Sequence, residues 1–322
     1  MTRLLVTGST GFVGRVLCAD LARRGYLVRA TVRPGRERPA GATEEAVVSD
    51  IRGDTRWDSV LEGVDVVVHA AARAHVLNDA AANSELYQEA NARGTQGLAL
   101  AAARHGVRQF IYLSSVKVNG EWTGSRPFRE DDAPAPKDAY GSSKLSAEQL
   151  LAEISARFGL HATIVRPPLV YGAGVRANFL RLLRWVDKGW PLPLGAVENR
   201  RSLVSVWNLS DFVGHLVEKS ESYGKVWMVS DGVDISTPEL LRRIGAAMGR
   251  RVRLVAVPES ALRLAGSLLG RREQINRLCG SLVVDISSTR SMLGWEPPLD
   301  LDTALKRTVT WYEEQARGDR GT

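Results

Sequence analysis

A tyrosine and a lysine one helical turn apart are the residues of this chain best suited to acid–base chemistry. Tyr140 and Lys144 open an apolar helical stretch, and their i, i+4 spacing places both side chains on one helix face. A neighbouring ammonium stabilises a phenolate, so we expect Lys144 to lower the pKa of Tyr140 toward the working range of an acid–base catalyst. Upstream, Ser114 and Ser115 end a strand-like run, which predicts two hydroxyls at the ligand-binding edge of a sheet.

Three glycines, Gly8, Gly11 and Gly14, lie between the first predicted strand and the first predicted helix. Glycine permits a tight turn and lets a pyrophosphate approach the backbone, and the N–H groups of the following helix bind the anion. Because this GxxGxxG turn follows an N-terminal strand and precedes an apolar helix, it indicates a dinucleotide site rather than an ordinary structural turn.

The end of the second predicted strand distinguishes the two nicotinamide dinucleotides. An acidic residue there binds the ribose 2′-hydroxyl of NAD, whereas an arginine accommodates the 2′-phosphate of NADP. No carboxylate ends this strand; Arg33 does, and Arg36 follows. We therefore expect NADP(H), with NAD(H) as the alternative if Arg33 is only a solvated loop residue. Asp50 and Ile51, after the third predicted strand, are expected to meet the adenine.

These candidates need a parallel sheet to bring them together. Short β-branched runs alternate with Ala-rich helical runs, a pattern typical of strands buried on both faces. The predicted strands are 3–7, 28–32, 46–48, 64–68, 110–113 and 162–166, and the predicted helices are 14–24, 57–61, 86–105 and 142–158. The predicted fold class is therefore α/β, a Rossmann-type doubly wound parallel sheet.

The second half of the chain has a different character, with frequent Pro, Gly and Trp. We predict a dinucleotide-binding domain over 1–166 and a smaller, mainly substrate-binding C-terminal domain over 167–322, with a return to the first domain near 201–220. The ligand is expected in the crevice between them. A helical stretch over 261–269 is apolar on much of its surface and is expected to pack on the small domain, with membrane contact as the alternative.

The overall composition limits the class of protein. A chain of 322 residues that is 44% hydrophobic and 25% charged can bury a large core, which excludes a disordered protein. The net charge of +7 suggests an anionic partner, namely nucleic acid, a membrane surface or phosphorylated small molecules. Because no basic run carries interleaved aromatic residues, we expect no nucleic acid.

Cysteine and histidine spacing give no support to a metal site, since Cys18 and Cys279 are far apart and the five histidines are scattered. A strand begins at the N-terminus, leaving no room for a signal peptide, and no apolar run approaches the ~20 residues of a spanning helix. We expect a cytoplasmic protein without stable membrane association.

Together these motifs resemble the extended short-chain dehydrogenases/reductases of the nucleotide-sugar epimerase/dehydratase group, over nearly the whole chain. The likeness comprises the glycine turn, His69–Ala72, Asn91 with Gly94–Thr95, Ser114–Ser115, Tyr140 with Lys144, 166–172, 201–206 with Asp211, and Asp285 with 293–297. It implies that Ser115, Tyr140 and Lys144 are catalytic. Ser115 is preferred to Ser114 because it precedes Tyr140 by 25 positions and Gly120 by five.

The resemblance also implies binding residues and an assembly. The expected cofactor-binding residues are Gly8, Thr10, Gly11, Phe12, Val13, Arg33, Asp50, Ile51, Ala70, Ala71, Ala72, Asn91, Tyr140, Lys144, Pro167 and Val170. The expected substrate-binding residues are Ser114, Lys117, Asn178 and Arg201, of which Arg201 would bind a phosphate of a UDP-linked sugar. Arg277 is a further candidate that no family motif anchors. Relatives dimerise through the two long helices, so a homodimer is expected.

Two departures from the family pattern bear on the reaction. The usual Val-Tyr-Gly after the catalytic serine is Val118-Asn119-Gly120 here, which resembles a bacterial subgroup acting on nucleotide-linked amino sugars in surface-polysaccharide synthesis. The acid after the second strand is missing, and Arg33 stands in its place. We therefore expect an NADPH-dependent reductase of a UDP-linked 4-keto-6-deoxy (N-acetyl)hexosamine.

The alternative is an NAD-dependent 4-epimerase of a UDP-hexose, a UDP-N-acetylhexosamine or a lipid-linked sugar. A third hypothesis, a cofactor-binding regulator without catalysis, would require a broken triad, and Ser115, Tyr140 and Lys144 are all present.

Overall fold

The computed structural model describes residues 1–74 and 80–318. It contains ten strands: β1 (Arg3–Thr7), β2 (Leu27–Val32), β3 (Glu44–Val47), β4 (Val66–His69), β5 (Gln109–Leu113), β6 (His161–Arg166), β7 (Leu169–Tyr171), β8 (Arg201–Ser205), β9 (Val226–Met228) and β10 (Asp234–Ile235). The six strands predicted from sequence correspond to β1–β6, with ends shifted by two residues at most.

Twelve α-helices occur within the described residues: α1 (Phe12–Arg23), α2 (Asp58–Leu61), α3 (Ala80–Tyr87), α4 (Gly94–Arg104), α5 (Ala139–Phe158), α6 (Ala177–Asp187), α7 (Val206–Leu216), α8 (Thr237–Ala247), α9 (Glu259–Leu268), α10 (Arg272–Cys279), α11 (Ser287–Leu293) and α12 (Leu301–Gly318). The single helix predicted over 86–105 is broken: a π-helical segment, Gln88–Arg93, joins α3 to α4. Short 3₁₀ turns cover Val116–Val118 and Ser220–Ser222.

Seven strands form one sheet in the order β3-β2-β1-β4-β5-β6-β9, and every pair is parallel. The predicted α/β class with a doubly wound parallel sheet is therefore confirmed. Apolar side chains of the central strands alternate between two cores, one beneath α1 and α7 and the other beneath α2, α4 and α5. This burial of both faces explains the nearly continuous apolar character of the central strands.

The remaining strands, β10-β8-β7, form a small separate sheet that packs with α6, α8, α9 and α12 around a third core. The chain returns to the large sheet after residue 166, because α7 packs on α1 and β9 pairs with β6. That return extends to Met228, beyond the 201–220 region expected from sequence.

Within the described residues, no helix is both long enough and apolar enough to cross a lipid bilayer.

Candidate active site

The turn between β1 and α1 is shaped for close approach of a ligand to the backbone. Gly8 has φ +67°, and a Cβ there would lie 2.7 Å from the Ala71 backbone; a Cβ on Gly14 would lie 2.1 Å from the Gly8 carbonyl oxygen. Gly11 is the N-cap of α1 and makes no side-chain hydrogen bond to the first turn of the helix. The backbone N–H groups at the start of α1, at Phe12 and Val13, are therefore not capped by the N-cap side chain. These features fit the diphosphate of a dinucleotide.

A buried hydrogen-bond chain fixes the ends of β1 and β4 beneath this turn. Thr95 donates to the Asn91 carbonyl (2.6 Å), so it accepts from His69 Nε2 (2.9 Å). His69 Nδ1 then accepts from Thr7 Oγ1 (2.6 Å), which itself accepts from the Ala71 N–H (3.3 Å). Every member is satisfied by a neutral Nε2–H imidazole, and burial lowers the pKa of His69 to about 3. These hydrogen bonds hold the 70–72 segment, which is predicted to line the cofactor, against the glycine turn.

The predicted adenine side of the site lies at the ends of β2 and β3. Arg33 follows β2 directly and is exposed. Asp50 accepts from the N–H of Ile51 (3.0 Å) and from Arg52 Nε (3.1 Å). A Cβ on Gly94 would lie 2.8 Å from Ile51, so the segment that follows β3 packs directly against the first residue of α4.

Asn91, expected to contact the cofactor, has its amide engaged within the protein. Its oxygen accepts from the Arg73 N–H (2.8 Å), while its nitrogen donates to the Arg73 carbonyl (3.1 Å) and to Ser143 Oγ (3.0 Å). Asn91 lies in the π-helical segment, so the wide turn aims the side chain at the chain leaving β4. It thereby links that chain to α5.

The predicted catalytic residues meet at the carboxyl edge of the sheet. Ser115 ends the segment that leaves β5, while Tyr140 and Lys144 lie in the first turns of α5. The Ser115 side chain lies near enough to Tyr140 to act on the pKa of its phenol. Lys144 is 1% exposed, and its Nζ lies 4.5 Å from the ring centre of Tyr112 and 5.9 Å from that of Tyr140. The three side chains therefore share one site.

Protonation at this site differs from the sequence expectation. Burial raises the pKa of Tyr140, with additional contributions from Asp138 and Tyr87, while the nearby Ser115 side chain opposes the rise. Burial also lowers the pKa of Lys144 to about 7, against the opposing charge of Glu148. Desolvation thus outweighs the expected stabilisation of the phenolate by Lys144, because both groups have left water.

A contact between α5 and the 3₁₀ turn sets the distance from Ser115 to Tyr140. Asp138 caps α5 by accepting from the Gly141 N–H (2.7 Å), and its other oxygen pairs with Lys117 Nζ. A Cβ on Gly141 would lie 2.8 Å from the Lys117 carbonyl oxygen, so glycine allows this approach. Lys117, predicted to bind substrate, therefore connects the two segments that carry the predicted catalytic residues. It also pairs with Glu121 (3.1 Å).

Ser114, predicted to contact substrate, faces the protein interior. It is 4% exposed, and its hydroxyl donates to Glu148 Oε1. Successive side chains of an extended segment point to opposite faces, so Ser115 faces the site while Ser114 faces the core. The substrate-contact prediction for Ser114 is therefore not supported by its position.

A buried ion pair that the sequence did not predict lies close to the predicted catalytic residues. Arg166 donates to both carboxylate oxygens of Glu148 (3.0 and 2.6 Å) and to Asn119 Oδ1 (3.1 Å). Both side chains of the pair are about 95% buried. The sequence feature that could have indicated this pair is Glu148. It lies one helical turn after Lys144, on the same helix face as the apolar residues Ala147, Leu151 and Ile154. Asn119 stands where the family pattern has a tyrosine, and here its amide oxygen accepts a hydrogen bond from the buried Arg166.

Three other predicted residues occupy distinct positions near the small sheet. Asn178 is exposed at the start of α6. Arg201 begins β8 and donates to the main-chain carbonyls of Arg277 (2.8 Å) and Gly280 (3.1 Å). Burial and the nearby charge of Arg277 lower the pKa of Arg201, so the structure brings together two cations that are far apart in sequence.

Pro167 and Val170 connect the two sheets. The Pro167 carbonyl accepts from the Val116 N–H (3.0 Å), which anchors the 3₁₀ turn to the end of β6. Val170 lies in β7 and packs partly buried against the core beneath α1. Pro167 therefore lies against the turn that follows Ser115, and both residues lie on the route from the large sheet to the small one.

Comparison with known proteins agrees with this arrangement. The chain is 42% identical to a UDP-glucose 4-epimerase of Vibrio cholerae over 95% of this chain and 94% of the relative. It is 24% identical to the N-acetyl-alpha-D-glucosaminyl-diphospho-ditrans,octacis-undecaprenol 4-epimerase of Escherichia coli O157:H7, over 98% and 97%. Its fold matches a Bacillus cereus UDP-glucuronic acid 4-epimerase solved with NAD, at a TM-score of 0.79, 22% identity and 99% coverage of both chains.

Residues 4–229 match the NAD dependent epimerase/dehydratase family, and this match covers most of the chain. The resemblance inferred from the sequence motifs is thereby confirmed. The chain belongs to the NAD-dependent epimerase/dehydratase family.

Proposed function

We propose that this protein is an NAD-dependent 4-epimerase of a UDP-linked hexose or N-acetylhexosamine. The observation that carries the proposal is the 42% identity to the Vibrio cholerae UDP-glucose 4-epimerase along almost the whole of both chains. Ser115, Tyr140 and Lys144 lie together in one site of this chain and would supply the acid–base chemistry of the reaction. The comparisons favour this alternative over the NADPH-dependent reductase that Arg33 suggested.

The residues of the glycine turn fit a dinucleotide, as the close approaches at Gly8 and Gly14 indicate. Gly11, Phe12 and Val13 would hold the diphosphate at the start of α1, with Thr10 in the same turn. When bound, NAD supplies reversible hydride transfer at the sugar C4. Ala70–Ala72 and Ile51 would also line the dinucleotide site, with Ile51 at the adenine.

Tyr140 is the proposed acid–base group of the reaction. As the phenolate, Tyr140 would take the proton of the sugar 4-hydroxyl. The resulting phenol would return that proton to the sugar O4 after the sugar has turned. Ser115 would hydrogen-bond that oxygen when the sugar is bound, because its side chain lies near Tyr140. Lys144 lies close to the rings of Tyr112 and Tyr140. When Lys144 is protonated, its positive charge would stabilise the phenolate of Tyr140.

Charge on the small domain supports a diphosphate-containing substrate. Arg201 and Arg277 lie close enough for the charge of one to lower the pKa of the other. Such a pair of guanidinium groups suits the two phosphates of a UDP-sugar. Asn178, exposed at the start of α6, would contact the same diphosphate.

A sugar carried on a lipid diphosphate is the second candidate substrate. The Escherichia coli O157:H7 relative is named for an N-acetylglucosaminyl-diphospho-undecaprenol, and it matches 98% of this chain. The same two arginines suit either carrier, because both contain a diphosphate.

Assembly and cellular role complete the proposal. We expect a cytoplasmic homodimer in which α4 and α5 pack on their partner copies, and a role in making surface polysaccharide. Light scattering on the purified protein tests the dimer: a mass near twice 35.2 kDa supports it, and a mass near 35.2 kDa contradicts it.

The test of the reaction uses the purified protein with UDP-glucose and, separately, UDP-N-acetylglucosamine. We expect the galacto epimer to appear by NMR or anion-exchange chromatography without added nicotinamide, and NAD(H) to be released when the protein is denatured. Absence of epimer with both substrates, together with NADPH oxidation by a UDP-4-keto-6-deoxy sugar, would establish the reductase instead.

A further inference from the structure

Helix α9 (Glu259–Leu268) has one apolar face buried and another exposed. Leu262 and Gly266 are buried, and a Cβ on Gly266 would lie 2.6 Å from Ile275, so α9 packs closely on α10 through this face. The predicted packing of 261–269 on the small domain is therefore observed, but it uses only part of the apolar surface. The exposed face remains without a partner among the described residues.

Three leucines dominate that exposed surface. Leu264 is 63% exposed, Leu268 is 80% exposed and Leu269 is 72% exposed. Leu264 and Leu268 are four residues apart, so they lie on one helix face, and Leu269 extends that surface at the end of α9. Single exposed leucines are ordinary, whereas three neighbouring ones next to a tight helical hairpin mark an interaction surface.

Positive charge lies at the end of this leucine surface. Arg271, which precedes α10, and Arg272, its first residue, are exposed, and neither has an ion-pair partner among the described residues. Arg263, on the same helix, is engaged by Glu259 and Asn276. Exposed leucines beside unpaired arginines are complementary to a bilayer that carries anionic headgroups, because the leucines enter the acyl boundary and the arginines pair with phosphate.

The leucine surface is connected to the proposed diphosphate site by α10. Arg277 lies in α10, and its main-chain carbonyl accepts from Arg201 (2.8 Å), as does that of Gly280 directly after the helix. A Cβ on Gly280 would lie 2.3 Å from Trp122, so the end of α10 is packed tightly against the large domain. A bilayer touching α9 would therefore lie one helix away from the two arginines.

We propose that the exposed face of α9, with Arg271 and Arg272, docks reversibly on an anionic lipid bilayer and presents the site to a sugar diphosphate anchored in that bilayer. The substrate part rests on the proposed epimerase function, whereas the docking part does not. The contact is peripheral, since it uses three leucines at a helix surface rather than a membrane-spanning segment.

Vesicle co-sedimentation of the full chain at low ionic strength tests the docking. We expect binding to phosphatidylglycerol-containing vesicles and little binding to pure phosphatidylcholine vesicles. The triple variant Leu264→Ser, Leu268→Ser, Leu269→Ser and the double variant Arg271→Gln, Arg272→Gln should each bind at least ~10-fold more weakly. The matched control is Val47→Ser, Met292→Ser, which removes similarly exposed apolar residues elsewhere and should bind as the native chain does.

The outcomes separate the docking from the reaction. Failure of the native chain to sediment with anionic vesicles, or equal binding by the triple leucine variant, overturns the docking. A native dimer that the triple variant converts to monomer, without vesicle binding, assigns this face to a second copy and also overturns it.

Activity on two carriers tests the substrate class. With an N-acetylglucosaminyl-diphospho-polyprenol in anionic vesicles, the triple variant should lose ~10-fold or more in kcat/KM, while its epimerisation of soluble UDP-sugar stays native. Equal loss on both carriers overturns the membrane-linked substrate. If vesicle binding is native-like but neither carrier is epimerised, the proposed function fails and the docking stands.

Discussion

Lys144 Nζ donates a 2.7 Å hydrogen bond to the main-chain carbonyl of Leu113. This bond ties the second turn of α5 to the end of β5, immediately before Ser114 and Ser115. The lysine therefore has a positioning function besides its charge, because it holds the helix that carries Tyr140 against the strand that leads to Ser115. Its own pKa of about 7 places its protonation change within the physiological range.

Replacing Tyr140 by Phe removes the proposed acid–base hydroxyl while preserving the ring contact with Tyr87. We expect kcat for epimerisation to fall about 10²–10⁴-fold, the usual contribution of a positioned acid–base group, with NAD still bound. Tyr223→Phe is the matched control, because Tyr223 stacks on His161 away from the glycine turn and the proposed catalytic residues. Full activity of Tyr140→Phe would show that the proton-transfer group lies elsewhere.

Lys117→Met distinguishes a positioning function from substrate binding. Loss of the pair with Asp138 frees the start of α5 from the Ser115 turn, so we expect kcat to fall about tenfold with KM nearly unchanged. Steady-state kinetics on the UDP-sugar provide the measurement, and Lys137→Met, at an exposed neighbouring lysine, is the control. A rise in KM at constant kcat would instead support direct substrate contact, as predicted from sequence.

The Glu148–Arg166 pair should show strong coupling in unfolding experiments. Because both charges are buried, Glu148→Leu or Arg166→Met alone leaves an unpaired charge, at a cost of about 3–5 kcal/mol in the free energy of unfolding. The double variant Glu148→Leu, Arg166→Met should cost less than the sum of the two. Denaturant titration measures this, with Arg243 and Asp302 as the exposed reference pair worth about 0–1 kcal/mol. Additive effects at Glu148 and Arg166 would contradict a buried, mutually dependent pair.

His69 should make the protein less stable in mild acid. Its folded pKa of about 3 lies below the ordinary value of 6.5, so between these values the unfolded chain binds a proton that the folded chain excludes. From pH 7 to pH 5 this linkage removes about 2 kcal/mol from the free energy of unfolding.

His69→Gln, which can still accept from Thr7 and donate to Thr95, should flatten that part of the pH profile of stability. His161→Gln, at an exposed histidine, should leave the profile native. An unchanged profile in His69→Gln would mean that His69 becomes protonated in the folded protein.

Much of the large domain could be predicted from local patterns. The β-branched runs located β1–β6 within two residues, because strands buried on both faces of a parallel sheet must be apolar along their whole length. The turn at Gly8 was recognisable for a related reason, since its positive φ and the 2.7 Å approach of Ala71 exclude any other residue. The i, i+4 spacing likewise placed Tyr140 and Lys144 on one face, as found.

Side-chain partners depended on contacts that only the tertiary structure creates. The sequence could not show that Ser114 turns inward to Glu148, that Lys117 pairs with Asp138, or that Arg201 lies beside Arg277, because these partners come from distant elements. Burial likewise reversed the protonation expected for Tyr140 and Lys144, since desolvation is a property of the folded environment. Residue types and local spacing thus determined the sheet, the glycine turn and the choice of the proposed catalytic groups. Packing between distant elements decided their orientation, their charge and the surface that α9 leaves exposed.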